Sequence, residues 1–268
     1  IEAIQKAYAS ESFWGVRQAW SSALGKCATQ PALDALLALS NEEKDPLVLE
    51  SFLRALTNYQ DVAVKQRLEA LLEEGLPYRA RQVAYEALGA YDGDDVRDLL
   101  TEAAATPTFT EWPQRGALFG LAQSRSEQVF EILADATTPG QGRTHKVRAH
   151  AARALGTLTR YLDDKHSERT RDLLVAMLRD ENAAARTGAA DGLLAARATS
   201  AAGALRAYKQ TLPHQDQVGL EERITAMLRA KDPKLGELEG KFDQLQKDYR
   251  SLLEKVSKLE AQAKDQDA

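Results

Sequence analysis

The stretch Val147-Arg148-Ala149-His150-Ala151-Ala152-Arg153-Ala154-Leu155-Gly156 decides how the rest of the chain reads. Val147, Ala151, Leu155 and Leu158 stand at i, i+4, i+8 and i+11, so they share one face of a helix. The alanines beside that face let a neighbouring helix come close. Gly156 follows the apolar run, where a left-handed closing residue is expected.

The pattern recurs. Aligned on the final Leu, it appears as Val16-Arg17…Ala23-Leu24-Gly25, Val48…Ala55-Leu56-Thr57 and Ala80-Arg81…Ala87-Leu88-Gly89. It continues as Gln114-Arg115…Gly120-Leu121-Ala122, the opening stretch itself, and Ala185-Arg186…Gly192-Leu193-Leu194. The spacing, about 32 to 38 residues, is that of helical solenoids. Between these segments, residues 31–39, 62–72, 96–104, 129–136, 171–178 and 201–212 carry apolar stripes of their own. Each unit is therefore a helical hairpin, an A helix followed by a B helix. The joins agree: Asp45-Pro46 supplies an N-cap and an N1 proline. Asp92-Gly93-Asp94-Asp95 supplies a turn with carboxylates at the next helix start. Pro77, Pro107, Pro113 and Pro139 fall near other joins, where a missing N–H costs least. No stretch alternates as a strand would.

One hairpin cannot bury both sides of its stripe, but a stack of hairpins shares a continuous core. The expected fold is all-α: an α-solenoid of about six hairpins over residues 1–230, then a separate segment, 231–268. In that segment Leu235, Leu238, Phe242, Leu245, Tyr249, Leu252, Val256 and Leu259 alternate spacings of three and four, a coiled-coil-like seam with a polar tail beyond it. The seam can pair with a second copy, giving a homodimer, lie back on the solenoid, or dock on another domain.

Composition narrows the function. A net charge of −5 argues against nucleic acid as the partner. A single cysteine, Cys27, allows no internal disulfide and no Cys-rich zinc site, and it is expected as a small buried filler. No apolar run reaches the roughly 18 residues of a membrane span, and a cytoplasmic location is expected. A helical pattern is already running at Ile1, which reads as a piece of a longer polypeptide.

These units resemble HEAT repeats. Three segments resemble, in order and spacing, the C-terminal HEAT-like domain of bacterial M1-family zinc aminopeptidases. They are Phe13-Trp14-Gly15-Val16-Arg17, Glu111-Trp112…Arg115-Gly116-Ala117-Leu118, and Gly142…Lys146-Val147-Arg148…Leu155-Gly156. The resemblance covers most of residues 1–230. It implies a non-catalytic domain that closes over and gates the peptide cavity of an upstream catalytic domain. Zinc is then expected in that missing domain, with no cofactor in this chain. The family's His-Glu-x-x-His and Gly-x-Met-Glu-Asn motifs are absent here. The alternative is a free-standing HEAT scaffold that binds a protein or peptide on its concave, B-helix side. A DNA-binding or glycosylase module would need a basic groove, which the acidic balance disfavours.

No side chains here are expected to be catalytic or to hold metal. The histidines are His145, His150, His166 and His214, and the spacing of the first two turns them to different sides of a helix. Asp163-Asp164-Lys165-His166 reads as a solvated turn. Gly140-Gln141-Gly142-Arg143 reads as a joint between repeats, with anion binding the weaker alternative. Arg17, Arg81, Arg115, Arg148 and Arg186 recur near the B-helix starts and are expected to form a structural ladder. Arg115 and Arg148, in the middle of the stack, are the candidates for meeting a peptide carboxylate. Trp14, Trp20 and Trp112 read as packing residues, with Trp14 and Trp112 also placed to line a groove or dock a domain.

Overall fold

The computed structural model of the protein describes residues 1–140 and 143–230. They fall into two compact units, Ile1–Ala196 and a second that begins at Arg197. The expected seam from Leu235 to Leu259, and Gln141 and Gly142 of the glycine-bearing joint, lie outside the described residues.

The first unit is helical throughout: α1 (Glu2–Tyr8), α2 (Trp14–Cys27), α3 (Gln30–Glu42), α4 (Pro46–Leu56), α5 (Val62–Glu74), α6 (Tyr78–Leu88), α7 (Asp94–Ala105), α8 (Trp112–Gln123), α9 (Phe130–Ala136), α10 (His145–Thr159), α11 (Asp164–Met177) and α12 (Ala183–Ala195). The even-numbered helices are the B helices of the repeat and the odd-numbered ones from α3 are the A helices. Each B helix packs on the next in chain order, and the A helices cover one side of that row. This unit is an α-solenoid. In the second unit, α13 (Ala202–Lys209) and α14 (His214–Arg229) form a hairpin, in which Arg206 Nε and Lys209 Nζ reach Glu221 at 3.0 and 2.7 Å.

Local chemistry sets the helix ends. The Asp45 carboxylate accepts from the Leu47 and Val48 N–H groups, with Pro46 at N1, as the sequence leads one to expect. Asp61, Thr144, Asp163 and Asn182 cap α5, α10, α11 and α12 in the same way. Val147, Ala151, Leu155 and Leu158 are all buried, as their shared face requires.

The glycine that follows the leucine is a different matter. Gly156 lies inside α10, buried, and does not close the helix. A Cβ there would collide with the Gly192 carbonyl of α12, and one on Gly188 would overlap the Ala149 backbone. Gly89 and Gly120 meet likewise between α6 and α8, and Gly116 sits on the Gln82 carbonyl. Gly25 approaches Ala55 between α2 and α4, where a Cβ would stand 2.8 Å from the Ala55 Cβ. The repeated glycine is thus a contact between B helices. Left-handed closing residues are found instead at Gly75, Ala28, Arg125 and Arg197.

These close approaches alternate. They join α2 to α4, α6 to α8 and α10 to α12, and no glycine among the described residues makes one across α4/α6 or α8/α10. The B row is three tight pairs with two more open joints between them.

Candidate binding face

The B helices turn one side to the A layer and the other outward. Counted from the final Leu of each repeat, the positions two before it are Ser22, Arg54, Glu86, Phe119, Arg153 and Asp191. None of these is buried. A furrow of about 490 Å³ crosses this face at α2 and α4, lined among others by Gln18, Ser22, Lys26, Glu50 and Arg54. A second, of about 370 Å³, opens at the α4/α6 joint between Arg54, Glu86 and Ala90.

The arginine ladder forms, with one exception. Arg17 donates to the Glu11 carbonyl (3.0 Å), Arg81 to that of Leu76 (3.1 Å) and Arg148 to that of Thr137 (2.9 Å). Arg186 donates to the Asp180 and Glu181 carbonyls at 2.8 and 2.9 Å. Each fastens the loop leading into its own helix. Two also reach forward to the next repeat: Arg17 to Glu43 (3.0 Å) and Arg148 to Asp180. Burial alone would raise the Asp180 carboxyl, but the Asn182 N–H and the Arg148 guanidinium pull it below the usual carboxylate range. Arg148 is therefore occupied by the scaffold. Near α1, burial and then the Glu43 carboxylate push the Tyr8 phenol, which donates to Glu43, far above its ordinary range.

Arg115 is the exception. The ladder position lies seven residues before the final Leu, and in α8 that residue is Gln114, which is buried and donates to the Ala104 carbonyl at 3.2 Å. Arg115, one residue later, is turned onto the outward face. It makes no hydrogen bond or ion pair with any described residue, and its Nε is buried without an acceptor. Its guanidinium stacks on Trp112 and Phe119, at 6.0 and 5.9 Å from the ring centres. Arg79 lies over the same Trp112 ring at 5.3 Å. Across the α8/α10 joint, His150 meets Phe119 edge-on at 6.4 Å, and Arg153 bonds Asp191 at 2.8 Å. Burial first, then the charges of Arg115 and Arg153, hold His150 neutral down to about pH 4.

The remaining candidates separate. Trp14 and Trp112 are exposed at the starts of α2 and α8, while Trp20 is half-buried against Tyr8, so the packing reading fits Trp20 alone. Cys27 is exposed, which corrects its reading as a buried filler; it ends α2, where no neighbour covers it. His145 is exposed, and His166 is held by Asp163 at 2.6 Å against the Phe130 ring. Arg143 closes its loop on the Gly140 carbonyl and binds Asp135. Among the described residues no group of three or more His, Cys, Asp or Glu is placed to hold a metal, and no helix is long and apolar enough to cross a membrane. Sequence reading missed Arg79, Phe119 and Arg153, which only the column two before the leucine, and the stacking across helices, bring together.

Comparison with known families extends this geometry. Residues 1–89 match HEAT repeats. No curated protein matches the chain. A solved structure of an engineered protein aligns over 86% of this chain and 98% of its own at 16% identity, with a TM-score of 0.35, too low to speak for a shared fold. The match to HEAT repeats is confined to residues 1–89, and stacked hairpins of the same kind continue through the rest of the first unit as an all-α solenoid.

Proposed function

We propose that the protein is a non-catalytic scaffold whose B-helix face binds a partner protein or peptide. The carrying observation is the make-up of that face. Its furrows mix charged and polar side chains with small apolar ones, Trp14 and Leu47 are exposed beside the first and Trp112 at the start of α8, while the main apolar stripes lie on the inner side. A photo-cross-linking residue at Ala19 in α2 or at Ala90 in the turn after α6, both exposed beside the furrows, tests it against one at Glu73 on an A helix. In the producing cell, adducts to one defined protein are expected from the first two and not the third. Equal or reversed yields would contradict the reading. The purified chain is expected not to cleave peptides with or without added zinc.

A narrower form makes the partner the upstream catalytic domain of an M1-family aminopeptidase, on the same polypeptide, with zinc and the peptide substrate held in that domain. The ordered motifs at Trp14, Trp112 and Val147 support it. The parent reading frame decides: a His-Glu-x-x-His motif upstream is expected, and a gene without one leaves the free-standing scaffold. A homodimer through residues 235–259 belongs to the same proposal, and deleting residues 235–268 is expected to lower the sedimentation mass.

A further inference from the structure

We propose that the joint between α8 and α10, headed by Arg115, is a binding site for side-chain carboxylates of an acidic partner segment. The proposal rests on the scaffold reading for its choice of face and adds the chemistry of what is bound there.

Register places Arg115 at this joint. Gln114 fills the ladder position in α8, which leaves the arginine one residue further round the helix and free of the loop carbonyls that hold Arg17, Arg81, Arg148 and Arg186. Four cations gather on this part of the face, and three have acids: Arg79 with Glu50 (3.3 Å), Lys146 with Glu111 (3.8 Å) and Arg153 with Asp191 (2.8 Å). Arg115 has none among the described residues. Trp112 and Phe119, three residues before and four after it, flank its guanidinium at 6.0 and 5.9 Å and take up none of its N–H groups. Little side-chain freedom is then lost when a carboxylate arrives, and a planar guanidinium matches a carboxylate edge to edge. The charges around His150, across the joint, are mostly positive: burial first, then Arg115 and Arg153, and least Lys146 hold its ring below the usual range, with Glu111 alone working against them.

One uncompensated cation suits a monoanion better than a phosphate dianion, which needs several donors. The half-exposed Trp112 and the Phe119 ring give apolar contact to the chain that carries the carboxylate. An acidic peptide fits both features.

The test uses the full chain and three probes: acetyl-Ala-Glu-Ala-Glu-Ala-amide, its Gln counterpart, and inorganic phosphate. The readout is the His150 ring proton by NMR, assigned by its loss in His150→Gln. The Glu peptide is expected to shift that resonance and raise the His150 pKa, and the Gln peptide to do neither. Arg115→Gln should weaken the Glu peptide at least tenfold, whereas Lys26→Gln, elsewhere on the same face, should bind it as the wild type does. Comparing Glu with Gln peptide on the wild type needs no variant, so a misfolded Arg115→Gln would leave the test intact. Equal response to the Glu and Gln peptides, full binding by a folded Arg115→Gln, or a response to phosphate alone would overturn the proposal. Loss of this response with B-face cross-links retained would remove the carboxylate site and leave the scaffold; the opposite outcome would reject the scaffold reading.

Discussion

The joint between α10 and α12 and the joint between α8 and α10 use the same central helix in opposite ways. Toward α12, Gly156 and Ala149 of α10 bring bare backbone against Gly192 and Gly188, leaving no room for a side chain. Toward α8, the same helix offers His150 and Lys146, which meet Phe119 of α8 and the Glu111 that precedes it, with Arg115 close enough to act on His150, while the long Arg153 reaches Asp191 of α12 instead. A residue's column in the repeat decides which side it serves. Small residues on one side make the stack rigid in pairs, and long ones on the other leave side chains with chemistry at the surface. On the proposed reading, the close backbone packing lies at one joint of α10 and the binding chemistry at the other.

The contrast breaks most readily at the tight joint. Gly156→Ala forces a methyl into the Gly192 carbonyl, where only backbone can yield, and is expected to cost about 3 kcal/mol in denaturant unfolding. Ala90→Leu, at the open α4/α6 joint, should stay within about 0.5 kcal/mol. Equal losses would erase the distinction. Acid sharpens it next. Folded His150 takes up its proton only near pH 4, whereas an unfolded imidazole does so near 6.5. Between those values the unfolded chain binds more protons, so stability falls as pH falls. Allowing for partial solvent access, about 2 kcal/mol of this loss should vanish in His150→Gln when the two proteins are compared across that window. At the α2/α4 joint, Ser21 and Ser51 share a buried hydroxyl bond of 2.6 Å, and Ser51→Ala should cost about 1 kcal/mol. The smallest effect belongs to a glycine that touches nothing: Gly219, inside α14, has open space around it, and Gly219→Ala should raise the thermal midpoint by a gain of about 0.5 kcal/mol.

Much of this was legible in the sequence because hairpin stacking writes a period of apolar residues that no other packing demands. The B segments at Val16, Val48, Ala80, Gln114, Val147 and Ala185 all became helices in the expected order, and Asp45 and Pro46 ended up where capping chemistry sends them. Gly156 was misread because a glycine after an apolar run looks alike whether it closes a helix or admits another. Only the neighbouring helix, more than thirty residues away in sequence, tells them apart. Arg115 was grouped with the ladder because it lies one residue from its position, yet one residue is about 100° of turn on a helix. Ring stacking across α6, α8 and α10 leaves no pattern in a single chain, so Arg79, Phe119 and Arg153 went unnoticed.

A crystal structure resolving the five B-helix joints would test the central claim most directly, through the distance between neighbouring helix axes. About 8 Å is expected at α2/α4, α6/α8 and α10/α12, and about 10 Å at α4/α6 and α8/α10. Equal spacing at all five joints, or B helices out of chain order, would contradict it.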